Sequence, residues 1–186
     1  MNSVNDPQLR TALHSVYNAL YETHRANPTI FQPHDLTRML TGLMGSRPWS
    51  WRVIGITPNA LACFSQYGYN KPPNRQIQRG HLYGRSGTAR ELFATPTAMT
   101  IDEFFKFFLA RDRTVLMLTN ENPSNSRNRP PPNFIPIDQD LELFRCGGLV
   151  GYQHGQAETN YLNNLHATEP VAISFEAWAA EQVADA

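Results

Sequence analysis

Leu9, Leu13, Val16, Tyr17, Leu20 and Tyr21 recur at steps of three and four, which gives the segment after Asp6 and Pro7 one apolar stripe. That spacing predicts an amphipathic helix running to about Arg25, with Asp6 as its N-cap and Pro7 in its first turn. Leu36, Met39, Leu40 and Leu43 predict a second helix from about His34 to Met44, stopped by Gly45 and Pro48. Trp51 to Ile56 reads as a short buried strand. Thr57-Pro58 then supplies a cap and a first helical position for a helix over Asn59 to Tyr67.

From Tyr67 to Arg79 neither period holds, and Gly68, Pro72 and Pro73 mark an exposed loop. Thr88 to Phe93 predicts a short helix. Thr100-Ile101-Asp102-Glu103 has the form of a capping box in front of a helix that carries Phe104, Phe105, Phe107, Phe108 and Leu109. Thr114 to Thr119 is apolar at consecutive positions, as expected of a central strand covered on both faces. Asn120 to Asn133 is polar and rich in proline and reads as an exposed loop after that strand, a common place for a site. The remainder predicts a turn over Ile137 to Phe144, a strand from Leu149 to Tyr152, a helix from about Gln156 to Leu165 and a last helix from Ser174 to Val183. These elements describe an α+β fold, a single domain over residues 1–186 with a helical N-terminus and a small central sheet flanked by helices. No repeat of 20 to 50 residues is present.

Composition narrows the class. With 41% apolar and 17% charged residues, the 186-residue chain has globular rather than disordered composition. Cys63 and Cys146 are the two cysteines, and the N-terminus shows no secretory signal pattern, so free thiols in a reducing, cytoplasmic setting are expected. No apolar run approaches the roughly 18 residues of a membrane span, so a membrane partner is not expected.

The net charge of +0 conceals a segregation of charge. Between Leu36 and Arg90 there is no acid, while Arg38, Arg47, Arg52, Lys71, Arg75, Arg79, Arg85 and Arg90 all fall there. From Pro130 onward eight acids face Arg145 alone. Such asymmetry suggests an anion-facing side opposed by an acidic one, or two segments that neutralise each other across an internal interface. Guanidinium groups suit phosphate because their planar fork donates two parallel hydrogen bonds. Lys71, Arg75, Arg79, Arg85 and Arg90, with Tyr69 beside them, are therefore the candidate nucleic-acid-binding residues.

Candidate chemistry gathers at three places. Arg79-Gly80-His81 sets an imidazole beside guanidinium groups, a combination in which histidine can take a proton from water while arginine holds a phosphate. The tripeptide resembles the core of the Asp-Arg-Gly-His motif of non-specific DNA/RNA endonucleases of the His-metal finger class, with Gln78 where that motif has aspartate. The resemblance implies His81 as general base and a downstream asparagine, Asn120 or Asn122, as a magnesium ligand.

Glu121, just after the central strand, is a second catalytic candidate, and Asp112 stands at the other end of that strand. His154 and Glu158 are spaced to share one helical face. With His81 or Glu121 they could complete a two-histidine, one-carboxylate metal site. Cys63 reads as core, and Cys146 has no evident histidine partner. Phosphate loops, dinucleotide fingerprints, nucleophile elbows and paired CxxC motifs are absent from the sequence.

Three functions follow as expectations. The first is a nuclease or phosphodiesterase dependent on a divalent metal ion, Mg or Mn ahead of Zn, with His81 as base. The second is a non-catalytic binder of nucleic acid or nucleotide, with Trp49, Trp51, Tyr67 and Tyr69 available to stack on bases. The third is a protein–protein interaction module using the segregated charge.

Overall fold

The computed structural model describes residues 4–45, 47, 49–122, 132–147 and 151–184. Its first helix, α1 (Pro7–Ala26), is capped by the Asp6 carboxylate, which accepts from the Gln8 and Leu9 amides at 3.0 and 3.3 Å. The predicted stripe turns inward, with Leu9, Leu13, Tyr17 and Tyr21 buried. Helices α2 (Pro33–Met44), α4 (Arg85–Phe93) and α5 (Ile101–Arg111) complete an aromatic-rich cluster with α1, in which Tyr17 stacks on Phe104 at 4.6 Å. The capping box of α5 forms as its sequence predicts: Thr100 Oγ1 accepts from Glu103 N, and the Glu103 carboxylate accepts from Thr100 N.

Strands β1 (Arg52–Ile56), β2 (Ile77–His81), β3 (Arg113–Leu118) and β4 (Ile135–Pro136) form one mixed sheet in the order β2-β3-β1-β4. The β1 and β3 pair is parallel, while β2 and β4 run antiparallel to their neighbours. As its continuous apolar run predicts, β3 is interior and covered on both faces. Leu116 points into a cluster with α3 (Pro58–Gln66) and α6 (Gln156–Ala167), whereas Val115 and Met117 meet Trp178 of α7 (Phe175–Ala184). A register irregularity between Val53 and Gly55 breaks the alternation of β1, so that Val53 and Ile56 share one face and Ile54 takes the other. The architecture is α+β, and no helix among the described residues is long and apolar enough to cross a membrane.

Several local expectations change. The loop predicted up to Arg79 ends earlier, because Ile77 to His81 pairs with β3 and carries Arg79 into the interior, 4% exposed. Helix α4 starts at Arg85, three residues before the predicted Thr88. Edge strand β4 has no sequence signal, since two residues ending in Pro136 are too short for a period to register and suit only a sheet edge. Of the expected strand from Leu149 to Tyr152, Leu149 and Val150 lie outside the described residues, and Tyr152 makes an isolated bridge to Cys146. Gly148, Pro48 and residues 123–131 of the polar loop also lie outside them.

Candidate active site

The antiparallel register of β2 and β3 places His81 opposite Thr114. Two residues before Thr114, Asp112 closes α5 as its C-cap, its amide bonding to Phe108 O at 2.8 Å. Helix end and strand end therefore converge, and Asp112 Oδ1 lies 3.7 Å from His81 Nε2. Both side chains are largely buried, 6% and 12% exposed. The remaining oxygen, Asp112 Oδ2, accepts from Ser50 Oγ at 2.8 Å and from Trp51 N at 2.9 Å. Ser50 is thereby engaged as a donor to the carboxylate, and His81 Nε2 stays buried without a hydrogen-bond partner.

Trp51 is the pivot of this cluster. Its backbone has φ of 55°, a left-handed conformation that costs a non-glycine residue about 1–3 kcal/mol and persists only where surroundings enforce it. Here Asp112 holds its amide, while Arg79 Nη1 and Thr114 Oγ1 donate to its carbonyl at 3.2 and 3.0 Å. The indole meets His81 edge-on at 4.4 Å and lies within 4.9 Å of the Arg79 guanidinium and 5.2 Å of that of Arg85. Burial pulls the Arg79 guanidinium below its ordinary pKa, an effect opposed by its hydrogen bond to Cys146 Sγ and by the Asp112 carboxylate. Arg79 thus organises the interior and is not part of an exposed basic face, and the buried Trp51 ring is not free to stack on a base.

Beside His81 lies a cavity of about 30 Å³, enough for one or two water molecules. Its polar lining comes from His81, Asp112, Arg85, Arg111, Tyr83 and Thr88. Helix α4 supplies Arg85 at the exposed mouth, and the turn of α5 supplies Arg111, which pairs with Glu91 at 2.7 Å and lies over the Phe107 ring at 3.8 Å. A buried imidazole and carboxylate thus meet water-sized space with cationic groups around it. That arrangement can accept a proton and stabilise an anion.

The other candidates sit elsewhere. Leu118 pairs with Ile77, four strand steps or roughly 13 Å along the sheet from His81, and Glu121 lies beyond Leu118 at that far end. Its carboxylate binds Thr57 Oγ1, Asn59 Nδ2 and Leu118 N at 2.7, 2.8 and 2.9 Å, fastening the end of β3 to the start of α3. Asn120 and Asn122 share that end of the sheet. His154 stacks on Phe64 at 5.2 Å, with Nε2 2.9 Å from Tyr69 O, and burial lowers its pKa. Glu158 accepts from Gly155 N and Phe144 N at the start of α6. Among the described residues no three His, Cys, Asp or Glu side chains gather to hold a metal ion.

The basic candidates divide between the two ends of β2. Lys71 donates to Tyr152 O at 3.0 Å and Tyr69 Oη contacts His166 Nδ1 at 2.8 Å, which draws both toward α6 along with His154. Arg75 is exposed in the turn before β2, while Arg85 and Arg90 are exposed on α4 beyond its other end. What sequence reasoning underweighted is Asp112. Its signal is an acid between Arg111 and Arg113 directly before an apolar strand, in a stretch where a helix must end. Comparison with known protein families, curated proteins and solved structures found no match.

Proposed function

We propose that the protein hydrolyses a phosphodiester of nucleic acid, with His81 as general base, Asp112 as the group that orients it and Arg85 at the mouth holding the phosphate. The observation that carries this reading is the His81–Asp112 pair, 3.7 Å apart at a cavity that Arg85 and Arg111 also line. Asp112 favours the tautomer with hydrogen on Nε2, which leaves Nδ1 as the proton acceptor. A water in the cavity attacks phosphorus and gives its proton to Nδ1. The P–O bond to the leaving oxygen breaks, and that oxygen is protonated from water. Asp112 stabilises the imidazolium while guanidinium groups meet the charge on the non-bridging oxygens.

The endonuclease class whose motif Arg79-Gly80-His81 resembles takes a magnesium ligand from an asparagine, but Asn120 and Asn122 belong to the opposite end of the sheet. The described residues thus offer no fitting donor set at His81, and the step uses the chain's own groups. In this reading the protein works in the cytoplasm, where Cys63 and Cys146 stay as thiols.

The test is a substrate panel of supercoiled plasmid, single-stranded DNA and RNA, each with magnesium, manganese, zinc or EDTA, comparing wild type with Arg85→Ala. Cleavage of at least one substrate, slowed tenfold or more in Arg85→Ala, supports the reading. Intact substrate in every lane overturns it.

A further inference from the structure

Asp112 and Trp51 also border a second, larger space, a groove of about 860 Å³ between the start of the sheet, α5 and residues 139–145. That volume lies within the roughly 300–1,000 Å³ range of small-molecule sites. Its floor holds an unfavourable feature: Arg52 and Arg113 are register partners on the parallel strands β1 and β3, so two like charges lie side by side. Among the described residues neither has an ion pair. Arg52 donates to Gln139 O at 2.8 Å, and Arg113 lies over the Trp178 ring at 4.8 Å. Burial, and then the neighbouring Arg52 charge, lower the pKa of Arg113.

Exposed Lys106 of α5 adds a third cation to the groove. Of the carboxylates there, Asp112 is committed to Ser50 and Trp51, and Glu142 is paired with Arg145; Asp140 is the one a bound anion must avoid. The wall carries Trp49, half-buried, whose indole Nε1 is shielded from solvent with no acceptor. Two arginines without ion pairs and a lysine, with Asp140 as the one carboxylate not otherwise engaged, stand beside an indole wall in a space of ligand size.

We propose that this groove binds a phosphate-bearing ligand of mononucleotide size, with its phosphate on Arg52, Arg113 and Lys106 and its ring against Trp49. The ligand is either a free nucleotide or one unit of a longer strand. The site stands independently of the hydrolytic reading, because none of its binding residues is His81 or Arg85.

The experiment is calorimetric titration of the intact protein with ADP, inorganic pyrophosphate and a single-stranded octanucleotide, repeated on Lys106→Gln, Arg113→Gln, Trp49→Phe and His81→Ala. ADP is expected to bind saturably, several-fold more weakly in Lys106→Gln and tenfold or more weakly in Arg113→Gln. Arg113→Gln relieves the repulsion with Arg52 but gives up the contact with the Trp178 ring, so binding is compared at a temperature where its ligand-free melting curve shows it folded, and this separates lost binding from lost folding. Tighter binding of the octanucleotide than of ADP identifies a strand as the source, and equal or weaker binding a free nucleotide. His81→Ala that no longer cleaves but still binds ADP distinguishes the two sites. The proposal is overturned if none of the three ligands saturates at millimolar concentration, if ADP affinity is indifferent to Lys106→Gln and Arg113→Gln, or if pyrophosphate binds as tightly as ADP and Trp49→Phe changes nothing.

Discussion

Asp112 turns one carboxylate oxygen toward His81 at 3.7 Å and ties Ser50 and Trp51 with the other, so a single buried acid both holds the fold and faces the cavity. Asp112→Ala leaves the Ser50 hydroxyl and the Trp51 amide buried without an acceptor, at about 1–3 kcal/mol each. It also releases the left-handed backbone at Trp51. Urea unfolding should therefore show a loss of about 3 kcal/mol, and a change under about 1 kcal/mol contradicts this role for the carboxylate.

Glu121 is expected to be structural. Glu121→Ala removes the acceptor for Thr57, Asn59 and the Leu118 amide and should cost about 1–3 kcal/mol by denaturant titration. Any cleavage should persist at near the wild-type rate under conditions where the variant is folded. A variant that melts like wild type but has lost turnover would reverse the assignment.

Two glycines in the sheet separate rigid from yielding neighbours. A Cβ at Gly55 lands on the Phe134 ring and within 2.9 Å of Ile135 O, where β4 crosses closely, and backbone cannot step aside. A Cβ at Gly80 meets Met117, a flexible side chain that can swing away. Gly55→Ala should cost about 3 kcal/mol and Gly80→Ala about 1 kcal/mol, measured by thermal unfolding at equal pH. The reverse order would place the tight approach at β2 instead.

His154 sets an acid-side dependence of stability. Burial lowers its folded pKa below the ordinary 6.5, against the opposing hydrogen bond to Tyr69 O, so the unfolded chain binds the proton more readily. The stabilisation is complete above pH 6.5 and is lost as pH falls from there through the folded value. Melting temperature should decline from pH 7.5 to about 5 more steeply in wild type than in His154→Gln. Parallel profiles would exclude His154 as a source of the slope.

The sequence carried the elements whose signals are local. Asp6, Thr57 and Thr100 cap helices where their side chains indicate, and the apolar run Val115 to Leu118 lies in an interior strand. Pairing across the chain was not legible. Arg79 looked like an exposed base because its neighbours are polar, yet the register with Leu116 takes it inside. Glu121 and His81 both adjoin the sheet, and only the antiparallel direction of β2 shows that they occupy opposite ends. Asp112 was visible as a strand-end acid. Its meeting with Ser50 and His81 depends on contacts 62 residues apart in one case and 31 in the other, beyond any local period.

The direct test of His81 as the proton acceptor is the cleavage rate of His81→Ala against wild type on the best substrate of the panel, both shown folded by the same melting curve. Wild-type turnover is expected to fall about 10²–10⁴-fold in the variant, the usual contribution of a general base. Equal rates in the two proteins, or no cleavage by wild type on any substrate, would contradict it.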